Sequence, residues 1–130
     1  MSHHETAGAV LYAKDVARVS TFYAAIAGMA VTHTEADHVV LESTTLQLVV
    51  VAIPAAIAST IAIAEPPLRR TDTPIKLALS VASLDAARKA APLLGGDLNP
   101  VEREWVYQQH RVCDGHDPEG NVVQFRVRFA

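Results

Sequence analysis

Residues 110–128, HRVCDGHDPEGNVVQFRVR, gather two histidines, a cysteine, two aspartates and a glutamate into one short run. Imidazole, thiolate and carboxylate are the usual donors to a transition ion and the usual groups of a catalytic loop. A polar β-hairpin is the third reading of the same residues. His33, His38, His110 and His116 fall on strand ends or turns, and no two of them show the i, i+4 spacing of a helical metal motif. They are expected to be solvated or hydrogen-bonded locally. Asp117-Pro118-Glu119-Gly120 has the composition of a tight turn, which accounts for its carboxylates on backbone grounds, and Asp114 is read as part of the same polar run. Cys113 sits among apolar strand neighbours and reads as a buried, inert thiol. Neither a Ser-His-Asp order nor a glycine-rich phosphate loop is apparent.

Composition narrows the classes further. The 130 residues suit one domain, 1–130, and half are apolar, which predicts a packed core. A net charge of −3 leaves no electrostatic footprint for nucleic acid or an anionic membrane. The single Cys113 excludes an internal disulfide and suits a reducing cytoplasm. MSHHETAG lacks the basic and apolar regions of a signal peptide, and His3 and His4 read as part of a polar tail. The apolar stretch from Leu46 to Ala64 carries Gln47, Pro54 and many β-branched residues, which favours two soluble elements over a membrane span.

The elements that must position these groups follow from periodicity. GAVLYAK reads as a strand, followed by a helix on which Val16, Val19, Phe22, Tyr23 and Ile26 share a face. Asp15 is its expected N-cap and Gly28 its stop. AVTHTE, HVVLE and TLQLVVVAI are three strands, and residues 53–73 form a connector with room for one short helix. The order then repeats. PIKLALSV is a strand, SLDAARKAAPLLGG a helix capped by Ser83 and ended by glycine, with Pro92 predicting a kink or early stop. VEREWVYQ, HRVCDG and NVVQFRVRF are three further strands. Asp15 and Ser83, and Gly28 and Gly96, stand 68 positions apart, which supports an internal repeat.

Strand alternation then sorts the side chains into two faces. Val123, Phe125, Val127 and Phe129 point one way, and Gln124, Arg126 and Arg128 the other. Leu77, Leu79 and Val81 likewise oppose Lys76, Ala78 and Ser80; Ala9, Leu11 and Ala13 oppose Gly8, Val10, Tyr12 and Lys14. The same offset pairs Gly8 with Lys76, and LQLVV against VQFRV pairs Gln47 with Gln124. A pseudo-two-fold arrangement would bring these four positions around one cavity.

The βαβββ–βαβββ order, with LYAKDVARVSTFYAAIAGMAV at the start and DPEGNVVQFR at the end, resembles the vicinal oxygen chelate superfamily. That superfamily includes glyoxalase I, bleomycin-resistance proteins, fosfomycin-resistance enzymes and extradiol dioxygenases. The resemblance covers nearly the whole chain and implies an α+β fold of two βαβββ modules, about 7–52 and 74–129, forming a cupped mixed β-sheet with flanking helices. It also implies that, in metal-dependent members, the positions occupied here by Gly8, Gln47, Lys76 and Gln124 carry His, Glu or Gln ligands. Glycine has no ligating side chain, an ammonium repels a cation, and two neutral amides are weak ligands without carboxylate or imidazole support. No metal or other cofactor is therefore expected.

What remains is a cavity bearing Lys76 and Arg126 beside the amides of Gln47 and Gln124. Tyr12, and Trp105 and Tyr107 from the adjacent strand, are its expected aromatic walls. Such a lining suits a flat or small organic molecule, with the cations engaging a carboxylate or similar anion. The plainer alternative is that Lys76 and Arg126 are exposed, or paired with Glu102 or Glu104. Three functions follow. The first is metal-independent binding of an anionic or aromatic compound, similar to the bleomycin-resistance branch. The second is a lyase, isomerase or dioxygenase with displaced ligands such as His110 or His116. The third is metal-free catalysis by a buried Lys76. The edges and apolar area of a small open sheet predict a homodimer.

Overall fold

The computed structural model describes residues 6–129, and the expectation for His3 and His4 lies outside them. Asp15 caps α1 (Val16–Ile26), its side chain accepting from Arg18 N at 3.0 Å. The helix ends at Ala27, and Gly28 follows in the left-handed region at φ 61°. Val19, Phe22, Tyr23 and Ile26 are buried along one stripe, as their spacing predicts.

Around this helix the first sheet has the order β1 (Ala7–Ala13), β4 (Leu46–Ala52), β3 (His38–Glu42), β2 (Ala30–Thr34). β1 runs parallel to β4, and the other pairs are antiparallel. The second sheet has the order β5 (Leu77–Ser80), β9 (Val122–Arg128), β8 (His110–His116), β6 (Asp97–Leu98), with β7 (Trp105–Tyr107) also paired to β8. β5 is parallel to β9. The fold is thus α+β, built as two modules, each with its own hydrogen-bonded sheet. The first is βαβββ, and the second follows that plan with its first post-helix strand split into β6 and β7, which pair with opposite ends of β8. Between them, Ala55–Ala58 forms the short helix α2, for which the connector has room. Leu46–Ala64 resolves into a strand and this helix, and no helix among the described residues is long and apolar enough to cross a membrane.

The second-module helix α3 (Leu84–Ala90) stops early, as Pro92 predicts, and Ala91–Leu94 continues as a 3-10 turn. Other local expectations need correction. Gly95, rather than Gly96, takes the left-handed conformation, at φ 90°. The predicted strand VEREWVYQ is divided. Pro100 supplies no N–H to a sheet ladder, and Val101–Arg103 coil into a 3-10 turn closed by Arg103 N donating to Pro100 O. Only Trp105–Tyr107 remains a strand there, and Asp97–Leu98 pairs with Gly115 and His116 as a strand the periodicity did not mark. Phe129, assigned to the core face by alternation, is 42% exposed and lies under the Arg111 guanidinium.

The core lies between the helices and the inner faces of both sheets. Phe22 meets Tyr23 edge-on at 5.3 Å and Phe125 of β9 at 6.4 Å, so α1 joins its own module to the other. Beside this aromatic contact is the turn Asp117–Asn121. Asp117 is fully buried and accepts from Tyr23 Oη at 2.7 Å, from the N–H groups of Glu119 and Asn121, and from Asn121 Nδ2. Glu119, also buried, accepts from the backbone N–H groups of Lys14 and Asp15 at 2.9 and 2.8 Å. Gly120 holds φ 84°, and a Cβ there would overlap the Leu68 carbonyl. Burial, reinforced by Asp117, holds the Tyr23 phenol well above its ordinary range.

Removing the Tyr23 hydroxyl takes a donor from a buried carboxylate. Tyr23→Phe is expected to lower unfolding stability by about 1.5–3 kcal/mol, read from urea denaturation. An unchanged midpoint would show that the Tyr23 bond contributes nothing to holding Asp117.

Candidate functional site

The face of each sheet turned away from the helices is where the sequence places its candidates. On the first sheet, register aligns Gly8 with Gln47 and Glu42, Val10 with Val49 and Val40, and Tyr12 with Val51 and His38. Cross-strand partners share a face, so this surface is an apolar valine field with polar groups at its two ends. Val10 is 60% and Tyr12 61% exposed. Gln47 is half-buried and donates through Nε2 to Glu42 Oε1 at 3.0 Å.

The second sheet carries the charges. Ser80, Arg126, Val112 and Trp105 form one cross-strand row, and Ala78, Gln124 and Asp114 form the next. Arg126 Nη2 donates to Gln124 Oε1 at 2.9 Å. Arg126 Nε is buried and, among the described residues, has no acceptor. A buried guanidinium N–H without a partner costs free energy until an acceptor reaches it. Val112, between Arg126 and Trp105 in the row, is fully buried, while Trp105 is 39% exposed. Tyr107 pairs with His110 beyond the end of this row.

Lys76 falls just before β5, and its Nζ bonds both oxygens of Asp114, at 2.9 and 3.2 Å. The predicted pairing with Glu102 or Glu104 does not occur. Glu104 is instead engaged by Arg88 and, at 3.7 Å, by Arg111. Register also shifts one equivalence. Gly8 stands opposite Gln47, but the residue opposite Gln124 is Ala78, with Lys76 two positions earlier. The structure therefore brings Lys76, Gln124, Arg126 and Trp105 onto one sheet surface and leaves Tyr12 and Gln47 on the other.

These positions do not make a metal donor set. Gly8 and Ala78 offer no ligating atom, Lys76 brings a cation, and the Gln124 amide oxygen already holds a guanidinium. Among the described residues no group of three or more His, Cys, Asp and Glu is arranged to hold a metal ion. Lys76 is exposed and ion-paired, so the burial that a nucleophilic or basic lysine requires is missing.

The conspicuous residues of 110–128 have other work. Cys113 is fully buried, with burial pushing its thiol up despite the nearby Arg88. His116, expected to be solvated or bonded locally, is instead 8% exposed and accepts through Nδ1 from Arg69 Nε at 2.7 Å, across 47 residues. Arg69 Nη1 also bonds Asn99 Oδ1, so the connector is fastened onto β8. That contact has no periodic signature in the sequence. A second feature without one is a cavity of about 490 Å³ between the edge strands β1 and β5. Gly8, Val10, Leu11, Ile75, Leu77 and Val122 contribute to its largely apolar wall.

Comparison with known proteins adds a family to this geometry. A glyoxalase-like domain model matches residues 8–126. The fold is similar to that of a glyoxalase/bleomycin resistance protein/dioxygenase family enzyme from Burkholderia phytofirmans PsJN. The TM-score is 0.68 and identity 15%, covering 92% of this chain and 95% of that one. A glyoxalase/bleomycin resistance protein from Albidiferax ferrireducens T118 gives 0.66 and 16%, covering 94% and 97%. One named glyoxalase/bleomycin resistance protein/dioxygenase, from Alicyclobacillus acidocaldarius, gives 0.58 and 18%, covering 97% and 92%. At these identities the likeness is one of fold. The search of curated proteins finds no match.

Burial, then the neighbouring Arg69 charge, holds the His116 imidazole below its ordinary 6.5. Below that pH the unfolded chain takes up a proton at this site more readily than the folded protein. The contribution is therefore present above about 6.5 and is lost as pH falls. Stability in urea should drop between about pH 7.5 and about pH 5.5, and His116→Gln should flatten that drop. Identical slopes for the two proteins would remove His116 from the acid response.

Proposed function

The chain belongs to the glyoxalase-like domain family of the vicinal oxygen chelate superfamily, and we propose that it is a metal-independent binder of an anionic or aromatic organic compound, of the bleomycin-resistance type. The observation that carries this reading is the Arg126 guanidinium. Its Nη2 rests on Gln124, its Nε is buried with no acceptor among the described residues, and Trp105 lies in the same cross-strand row. A carboxylate or similar oxyanion suits the guanidinium charge, and Trp105 offers a flat surface for an adjoining ring. Lys76, already neutralised by Asp114, adds polarity at the rim.

Metal independence is supported by the same contacts. An ion at this centre would compete with a guanidinium for the Gln124 oxygen and would lie in the field of the Lys76 ammonium. Displaced ligation through His110 or His116 gains no support. Among the described residues neither belongs to a group of three or more His, Cys, Asp and Glu that could hold an ion, and His116 Nδ1 accepts from Arg69. One free, buried cysteine agrees with a reducing cytoplasm.

A second copy of the chain completes the site in this reading. The helix-free faces leave Val10, Tyr12, Trp105 and Tyr107 substantially exposed. A homodimer laying one such face against another would cover them and enclose Arg126.

Two experiments test these points. The single Trp105 makes intrinsic fluorescence a local reporter for titration with aryl carboxylates. Arg126→Ala should weaken any hit by at least about tenfold, the scale of a charge-assisted bond, while a chelator should change nothing. Binding that survives Arg126→Ala, or is abolished by chelation and restored by Fe, Mn, Ni or Zn, would overturn the proposal. Light scattering should give about twice the 13.9 kDa chain mass, with Val10→Glu shifting the protein to monomer. A wild-type monomer at micromolar concentration would refute the dimer.

A further inference from the structure

Away from Arg126, the β2–β3 hairpin holds two histidines whose surroundings have an unused chemistry. His33 lies opposite Val40 and His38 two residues before it, so the rings are diagonal neighbours on adjacent strands. A register irregularity between Val31 and His33 marks this part of the edge strand. The two ring centroids are 5.6 Å apart, tilted by 36°.

Each ring has one nitrogen committed to a carboxylate. His33 Nε2 contacts Glu35 Oε1 at 3.1 Å, and His38 Nδ1 contacts Asp37 Oδ1 at 2.8 Å. With a proton on the committed nitrogen, the lone pair of each neutral ring falls on the other, His33 Nδ1 and His38 Nε2. Carboxylates behind the rings in this way fix the tautomer and raise the basicity of metal-bound imidazoles. The spacing also fits. A metal–nitrogen bond of about 2.1 Å sets an ion about 3.2 Å from a ring centroid, so two rings on one ion can stand at most about 6.4 Å apart.

We propose that His33 and His38 form a two-imidazole site for a borderline divalent transition ion such as Cu²⁺, Ni²⁺ or Zn²⁺. Water completes the coordination shell, and Glu35 and Asp37 act as positioning residues. The nitrogen donors select these ions over Mg²⁺ or Ca²⁺, and the affinity order follows Cu²⁺ above Ni²⁺ and Zn²⁺. The site is on the first sheet and the Gln124–Arg126 centre on the second, and His33 and His38 stand at the β2–β3 end of the Val10 and Tyr12 rows, so the dimer of the proposed function would flank the site.

The test is calorimetric titration of Ni²⁺ alone into the full chain carrying His3→Ala and His4→Ala, which removes the adjacent histidines of the N-terminus. One ion should bind per chain. In that background His33→Ala and His38→Ala should each weaken binding at least about tenfold, and Glu35→Gln and Asp37→Asn each about tenfold. His33 is exposed and His38 half-buried, and circular dichroism should show the fold intact. With Cu²⁺, paramagnetic broadening should begin at the His33 and His38 signals. Loss of all binding in the His3/His4 background, unchanged affinity in both His→Ala variants, or broadening centred elsewhere would each overturn the proposal.

Discussion

The arrangement depends on two carboxylates that are buried and yet fully occupied. Moving an ionised carboxylate out of water is expensive, and it is tolerated only where hydrogen-bond donors replace the water. Asp117 finds those donors in Tyr23 and in its own turn, and Glu119 finds them in the backbone where α1 begins. A helix start has unpaired N–H groups and a partial positive charge, so it suits an anion. The turn of the second module is thereby bound to the helix of the first. The Phe22–Phe125 contact follows, and with it the position of β9, which carries Gln124 and Arg126 on its opposite side.

The same constraint explains the division of labour within residues 110–128. Their most reactive-looking groups face inward or into the turn, where Cys113, Asp117 and Glu119 are enclosed, and His116 is tied to Arg69. Gln124 and Arg126 stay on the outer face of β9, bonded to each other.

Much of this was legible in the sequence, for identifiable reasons. Helix α1 has a capping aspartate, four buried residues in register and a terminating glycine, so three independent signals agree. The strand with clean alternation, β9, shows which side chains share the outer face. Legibility fails where long-range contacts decide. Pro100 marks a break, but only the pairing of Asp97–Leu98 with β8 shows where the displaced strand goes. The offset linking Gly8 to Lys76 assumed equal strand registers, and the register puts Ala78 opposite Gln124. Similarly, Lys76 chose Asp114, on a strand 38 residues away, and Glu104 turned toward Arg88. Neither choice leaves a trace in local periodicity.

The Glu119 contact has an evolutionary consequence. Its two donors are main-chain N–H groups, at Lys14 and Asp15, and every amino acid except proline has one. The joint between the modules therefore asks for one acidic residue on one side and almost nothing particular on the other. Sequence on the receiving side is free to drift while the docking stays in place. Relatives of this shape can accordingly diverge until little but the outline is shared. The outer face is then available to be rewritten for a different small molecule without the two halves losing their grip.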